Sequence, residues 1–323
     1  MSQQQTISGL RSFLRDIERE EGELLEMSGV DRDQEMAAIS EILEQRLSHR
    51  SPAVLFDDVP GFPEGYRVLY NHLGSVYRLA RAFGLPTEYD HIMDFSGAYH
   101  QKTKDVEPVP WNVVDDGPLF ENVMEGDEVD VSKIPVPKHH EKDGGRYIGT
   151  GHCVITRDPD NPDWVNVGTY RSQVRSDDEL FLYISPGKHG RLHRQRYFEE
   201  GEPMPVVMTF GQDPSLWISS CTETETGVSE IEYAGGVRGE PYDVVEGPVT
   251  GLPIPADAEI AVEGYLHPGD TDVEGPFGEW MGYYGSGERE EPYMRVEAMY
   301  HRDDPILVCS PPHKPPQEQS FFR

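Results

Sequence analysis

The chain has 323 residues and a formal net charge of −31, from 59 acidic and 28 basic residues. Such a surface repels the phosphates of nucleic acids and anionic membranes, so neither is expected as a partner. No apolar run approaches the roughly 20 residues that span a bilayer, so no membrane span is expected. The acidic residues are dispersed and lysines number only seven, the pattern of a halophilic protein whose self-repulsion is screened by concentrated salt.

In chain order, residues 7–20 place Leu10, Phe13, Leu14 and Ile17 at helical spacing. Residues 32–47 repeat the pattern with Met36, Ile39, Leu43 and Leu47. Ala53–Val59 reads as a short strand ended by Pro60 and Gly61, and Leu73–Phe83 as a helix stopped by Gly84 and Pro86. The mixture predicts an N-terminal α/β domain. Residues 101–118 are polar and carry prolines, as a linker does. Beyond about 118 strand patterns dominate: Tyr147–Thr156, Val165–Val174, Leu180–Ile184, Val206–Phe210, Ile260–Tyr265, Tyr293–Tyr300 and Ile306–Val308. The fold class is therefore α+β, with a barrel or sandwich as the second body. Cys153, Cys221 and Cys309 are far apart, form no CxxC pair and predict free thiols in a reducing cytoplasm. The polar N-terminus predicts no signal peptide. His139 and His140, next to Gly144 and Gly145, read as exposed loop residues.

Chemistry concentrates between Trp164 and His193, where Asn166, Arg171, Lys188, His189, Arg191 and His193 lie among β-branched and aromatic residues. Asn166 and Arg171 are five apart, so a regular strand points them to opposite faces unless the chain bends near Gly168. In the stretch GVSEIEYAGGVRGE, Glu230 and Glu232 share a face if it is a strand, but a helix before a glycine-rich turn fits equally. In EGPFGEWMGYY, Glu274 and Glu279 flank a Gly-Pro-Phe-Gly turn that can hold two carboxylates near one another. Beside an arginine, one of such a pair stays ionised while the other can donate a proton. Asn, His and Glu together are ligands for Mn2+ or Mg2+. Ser219, Ser220, Cys221 and Thr222 offer oxygens to a monovalent cation or, as readily, cap a turn.

The motifs NVGTYRSQV, LYISPGKHGR, PMPVVMTFGQDP, EYAGGVRGEP and EGPFGEWMGYY, in this order, resemble the UbiD-type prenylated-flavin decarboxylases. The resemblance implies an N-terminal α/β domain over residues 1–117, a central split β-barrel binding the flavin over 118–312, and at 313–323 the start of a C-terminal region. That region, in the family, closes one side of the active site and contributes to homo-oligomerisation. It implies prenylated FMN, made by a flavin prenyltransferase, with its phosphate held through Mn2+ and K+. The Mn2+ ligands would be Asn166, His189 and Glu230, the last chosen over Glu232. The K+ ligands would be the Val167 carbonyl, Ser219, Ser220 and Thr222. Thr169, Tyr170, Arg171, Lys188 and His189 would bind the cofactor. Arg171, Glu274 and Glu279 would be catalytic, with Glu279 the proton donor and Arg171 and Glu274 orienting the substrate carboxylate.

The implied activity is non-oxidative, reversible decarboxylation of an aromatic or α,β-unsaturated acid. The chemistry is coherent: an electron sink takes the charge left by carbon dioxide, and a protonated acid quenches it. Two other readings stand beside it: a flavin- and metal-binding body without turnover, and an FMN-dependent reductase, which leaves the Asn, His and Glu set unexplained.

Overall fold

A computed structural model describes residues 9–89 and 91–318. The first two residues of the expected 7–20 helix and the last five of the 313–323 region lie outside the described residues. The chain runs α1 (Gly9–Ile17), β1 (Leu24–Ser28), α2 (Glu35–Leu47), β2 (Ala53–Asp57), β3 (Arg67–Tyr70), α3 (Val76–Ala82) and α4 (Ile92–Thr103). Next come β4 (Asn112–Val113), β5 (Asn122–Glu125), β6 (Tyr147–Gly149), β7 (His152–Arg157), β8 (Val165–Gly168), β9 (Ser172–Gln173) and β10 (Glu179–Phe181). Then follow α5 (His189–Glu199), β11 (Met204–Phe210), α6 (Pro214–Ser220) and α7 (Glu230–Arg238). The last elements are β12 (Asp243–Glu246), β13 (Pro253–Pro255), β14 (Ile260–Glu274), β15 (Arg289–His301) and β16 (Ile306–Cys309).

Two sheets carry most of the strand residues. The smaller has the order β1-β2-β3-β16, so the last strand returns to the first sheet. The larger has seven strands, in the order β10-β15-β14-β11-β7-β8, with β5 added on β15. Its middle strand explains its own sequence. Val206, Met208 and Phe210 of β11 enter one apolar core, and Val207 enters the other. Both faces are covered, so the strand reads as a continuous apolar run instead of an alternation. The fold is a mixed α/β one, and the larger sheet forms no closed barrel among the described residues. Its two ends approach through single bridges only, Arg171 to Tyr183 and Val174 to Leu180.

Several expected elements have different bounds for physical reasons. The stretch 147–156 divides at Gly149–Gly151, and a Cβ on Gly149 would sit 2.4 Å from the His152 ring. The expected linker does not hang free: Val109, Asn112 and Val114 donate backbone hydrogen bonds to Glu232, Tyr242 and Val244. His139 is no exposed loop residue. It is 2% exposed, with Nδ1 2.9 Å from the Tyr70 hydroxyl and Nε2 3.2 Å from the Tyr147 carbonyl. Burial pushes its imidazole down to about 3. Among the described residues no helix is long and apolar enough to cross a membrane.

Candidate active site

The site is built around the point where β8 leaves its sheet. β8 pairs with β7 up to Gly168, opposite Val154. A Cβ on Gly168 would lie 2.3 Å from the Tyr170 hydroxyl, so only glycine lets Tyr170 fold back over the strand. That hydroxyl meets Asn166 Nδ2 at 3.4 Å and the Gly190 N–H at 3.3 Å. Three residues after the break, Arg171 bridges Tyr183 on the other side. The bend thus puts Asn166 and Arg171 into two adjoining cavities that share Thr169, Tyr170 and Ser185.

The first cavity, of about 360 Å³, is lined by Asn166, Val167, Lys188, His189, Ser220, Thr222 and Glu230, among others. Glu230 opens α7 behind the cap Ser229 and is 2% exposed. β8 is an edge strand, so the Val167 N–H is free to donate to Glu230 Oε2 at 2.6 Å. The Thr224 hydroxyl donates to Oε1 at 2.8 Å. Both donors are neutral, and burial outweighs them, pushing the carboxyl up to about 7. Glu232, two residues on, points around the helix and lies outside the cavity lining. The His189 ring sits edge-on to Trp164, with centroids 4.9 Å apart. Its partial burial lowers its pKa and favours the neutral imidazole. Asn166 Nδ2 also reaches Thr156 Oγ1 at 3.3 Å, which leaves its carbonyl oxygen available as an acceptor. Lys188 stands at the rim, paired with Glu223 at 2.7 Å.

The hydroxyl set is divided. Ser220 donates to the Trp217 carbonyl at 2.6 Å and lies 2.9 Å from Thr169 Oγ1; Thr222 donates to the Ile218 carbonyl at 3.3 Å. Donating backwards leaves each oxygen as an acceptor toward the cavity. Ser219 bonds the Ser215 carbonyl at 2.8 Å and is not among the lining residues. No group of three or more His, Cys, Asp or Glu side chains among the described residues is arranged to hold a metal; the set above relies on an amide as its third member.

The second cavity, of about 230 Å³, is lined by Arg171, Tyr183, Phe277, Glu279 and Arg289 with smaller residues. Glu274 ends β14 and is fully buried. Its Oε2 accepts from Arg171 Nη2 at 2.6 Å and its Oε1 from the Tyr147 hydroxyl at 2.9 Å. Arg171 Nε is buried with no acceptor among the described residues. The turn after Glu274 packs on Gly144, where a Cβ would lie 1.9 Å from the Gly275 carbonyl. Glu279 is half-buried in the lining; its backbone bonds Tyr283 and Gly282, while its carboxylate makes no hydrogen bond or ion pair among the described residues. Beside it Trp280, Met281 and Tyr283 are exposed. The two glutamates flanking the turn therefore sit in contrasting environments, one locked and one free. Tyr147, Tyr183 and Arg289 also belong to the site. Sequence spacing gave no sign of Arg289, which becomes a neighbour of Glu274 only through the β14–β15 register.

Residues 112–315 match the 3-octaprenyl-4-hydroxybenzoate carboxy-lyase Rift-related domain, and residues 15–95 match the N-terminal domain of the same family. The chain is 32% identical over 303 residues to a phenolic acid decarboxylase of Bacillus subtilis, covering 92% of this chain and 62% of that protein. It is 33% identical over 308 residues to a pyrrole-2-carboxylic acid decarboxylase of Pseudomonas aeruginosa, covering 93% and 61%. Among solved structures, the closed form of the vanillic acid decarboxylase of Sedimentibacter hydroxybenzoicus superposes with a TM-score of 0.91 at 30% identity, covering 98% of this chain and 66% of that one. An evolved dimeric form of the UbiD-class enzyme HmfF of Pelotomaculum thermopropionicum, in complex with prFMN, gives 0.83 at 29% identity, covering 96% and 68%. The chain thus spans about 62% of the length of such a curated relative. Matched by the family over both its sheets, and similar to these decarboxylases along almost its whole length, this chain belongs to the UbiD carboxy-lyase family.

Proposed function

We propose that the chain carries the cofactor site of a non-oxidative decarboxylase for aromatic or α,β-unsaturated carboxylic acids, using prenylated FMN. The observation that carries this reading is the pairing of two adjoining cavities through Thr169 and Tyr170. One has amide, imidazole and carboxylate groups; the other has a clamped arginine and a free glutamate. Two details support the fit of the cofactor. Glu230 is a buried carboxylate with only neutral donors, a setting that a bound cation would stabilise. Arg171 Nε is a buried donor without an acceptor, beside the cavity an aromatic ring system would enter.

Asn166, His189 and Glu230 would hold Mn2+, and the Val167 carbonyl, Ser220 and Thr222 would hold K+, with Ser219 supporting from behind. Thr169, Tyr170, Arg171 and Lys188 would line the flavin in a split-barrel arrangement, its opening at the Arg171–Tyr183 bridge. When bound, the cofactor supplies an electron sink for the charge left by carbon dioxide. The chain's own groups do the rest. Glu274 holds Arg171 in one orientation, and the Tyr147 hydroxyl occupies the other oxygen of Glu274. Glu279 would deliver the proton, as the carboxyl of the cavity not committed to a partner. Cys153, Cys221 and Cys309 form no disulfide among the described residues, which supports a reducing compartment, the cytoplasm. The dimeric form of HmfF supports a homo-oligomer, and a flavin prenyltransferase would supply the cofactor.

Co-expression with a flavin prenyltransferase, followed by the spectrum of the bound flavin and carbon dioxide release from cinnamic- and hydroxybenzoic-type acids, tests the reading. Glu279→Gln should keep the flavin and lose turnover; full turnover by that variant overturns the donor role. The exposed Glu279 loop favours one second reading, a flavin- and metal-binding body that does not turn over by itself. A flavin spectrum without carbon dioxide release would select it.

A further inference from the structure

Behind the first cavity runs a line of buried polar side chains that begins at Asn166. Thr156 of β7 and Asn166 of β8 are direct partners across the ladder, and Asn166 Nδ2 reaches Thr156 Oγ1 at 3.3 Å. The same hydroxyl lies 3.0 Å from His193 Nδ1. His193 is one turn along α5 from His189, on the same face, and both rings stand edge-on to Trp164. Its Nε2 is buried, makes no hydrogen bond among the described residues and has the Asp158 carboxylate 4.0 Å away. Asp158 in turn accepts from Arg196 and from the Asp160 N–H. Thr156 and His193 are fully buried and Asn166 nearly so, so bulk water does not compete for these groups.

A threonine hydroxyl can donate to an amide oxygen or accept from an amide nitrogen, so Thr156 alone allows Asn166 two orientations. The neighbouring groups remove the choice. Burial pushes the His193 imidazole down to about 4, so the ring is neutral and carries one N–H. The Asp158 carboxylate favours that proton on Nε2, which leaves Nδ1 as an acceptor. The Thr156 hydroxyl then donates to Nδ1 and can only accept from Asn166. Resting on the Mn2+ assignment above, we propose that His193 is a positioning residue: its Nδ1 accepts the Thr156 hydroxyl's hydrogen bond and thereby turns the Asn166 carbonyl toward the cation. The opposite orientation presents N–H groups to the cation, which removes a ligand and adds a repelling dipole.

The test measures Mn2+ binding by calorimetry, with MnCl2 added to the full chain in the presence of FMN. The variants are Asn166→Ala, Thr156→Val, Thr156→Ser, His193→Phe and the double variant Thr156→Val with His193→Phe. Thr156→Val and His193→Phe should each weaken Mn2+ binding by about tenfold to a hundredfold. Thr156→Ser keeps the hydroxyl and should bind as the wild type does. The double variant should bind no more weakly than Thr156→Val, because His193 acts through that one hydroxyl, whereas two independent packing defects would add. Nitrogen NMR of the histidine-labelled wild type should place the His193 proton on Nε2. Thr156→Val only swaps a hydroxyl for a methyl, so it decides the matter if His193→Phe does not fold. A proton on Nδ1 overturns the proposal, as do additive losses in the double variant or wild-type Mn2+ affinity in Thr156→Val. If the wild type binds Mn2+ no better than Asn166→Ala, the cation assignment falls and the proposal with it. If Asn166→Ala alone weakens binding, the assignment stands and the role of His193 falls.

Discussion

Glu230 and Glu274 are both buried carboxylates at the ends of one cleft, and the chain treats them in opposite ways. Glu274 has an internal cation, Arg171, and a phenol donor. Glu230 has a backbone N–H and a threonine hydroxyl, and no cation among the described residues. Isolated buried charge is costly, so a carboxylate left this way either takes up a proton or waits for a positive ligand. The Glu274 end is complete in the chain alone. The Glu230 end would gain from a positive ligand.

The comparison breaks most visibly at Arg171. Arg171→Met leaves Glu274 buried without its cation, which should cost about 3–5 kcal/mol in denaturant unfolding. The double variant Arg171→Met with Glu274→Met should recover most of that loss; if it does not, the ion pair is not what sets the stability there. Glu230→Gln should do the reverse. It should change the unfolding free energy of the metal-free chain by under about 1 kcal/mol, because no cation is orphaned. Its Mn2+ affinity should fall by at least roughly a hundredfold, the upper end of what losing an outer-shell partner costs, as read by calorimetry with MnCl2.

A third expectation concerns pH and groups outside both ends. Burial pushes His139 and His152 down to about 3. In the unfolded chain each regains an ordinary pKa near 6.5. The unfolded state then binds protons that the folded state refuses, so stability should be lost as pH falls from about 6.5 toward 3. His152→Phe should flatten that fall, and an unchanged slope would refute the attribution. The smallest effect is at the rim: Lys188→Ala removes an ion pair with the fully exposed Glu223 and should leave the denaturant midpoint as in the wild type.

What the sequence disclosed depended on whether local pattern or pairing decides the structure. The β11 region was readable because a run such as Val206–Phe210 has few alternatives. α5 drew no helix reading because HGRLHRQRYFE is largely polar, with Pro186 and Gly187 just ahead of it. α7 was ambiguous because Gly235 and Gly236 discourage a helix. They are there for close approach, a Cβ on Gly236 meeting the Glu107 carbonyl at 2.2 Å. Asn166, Arg171, His189 and Glu230 stood out by residue type in recognisable motifs. Arg289 and Tyr147 did not, since their places depend on strand register and on a hydrogen bond across 127 positions. The contrast between Glu274 and Glu279 was equally hidden, because spacing says nothing about which side chain the sheet covers.

The return of β16 to the first sheet has a practical consequence for dissecting the molecule. β3 lies between β2 and β16, hydrogen-bonded to both. Any fragment cut between Tyr70 and Ile306 strips β3 of that neighbour and bares a row of backbone donors and acceptors, flanked by the apolar Val68 and Leu69. An uncovered edge of that kind invites pairing between copies. Fragments meant to isolate the N-terminal sheet should therefore carry residues 306–309 on a grafted connection, or they will report on self-association instead.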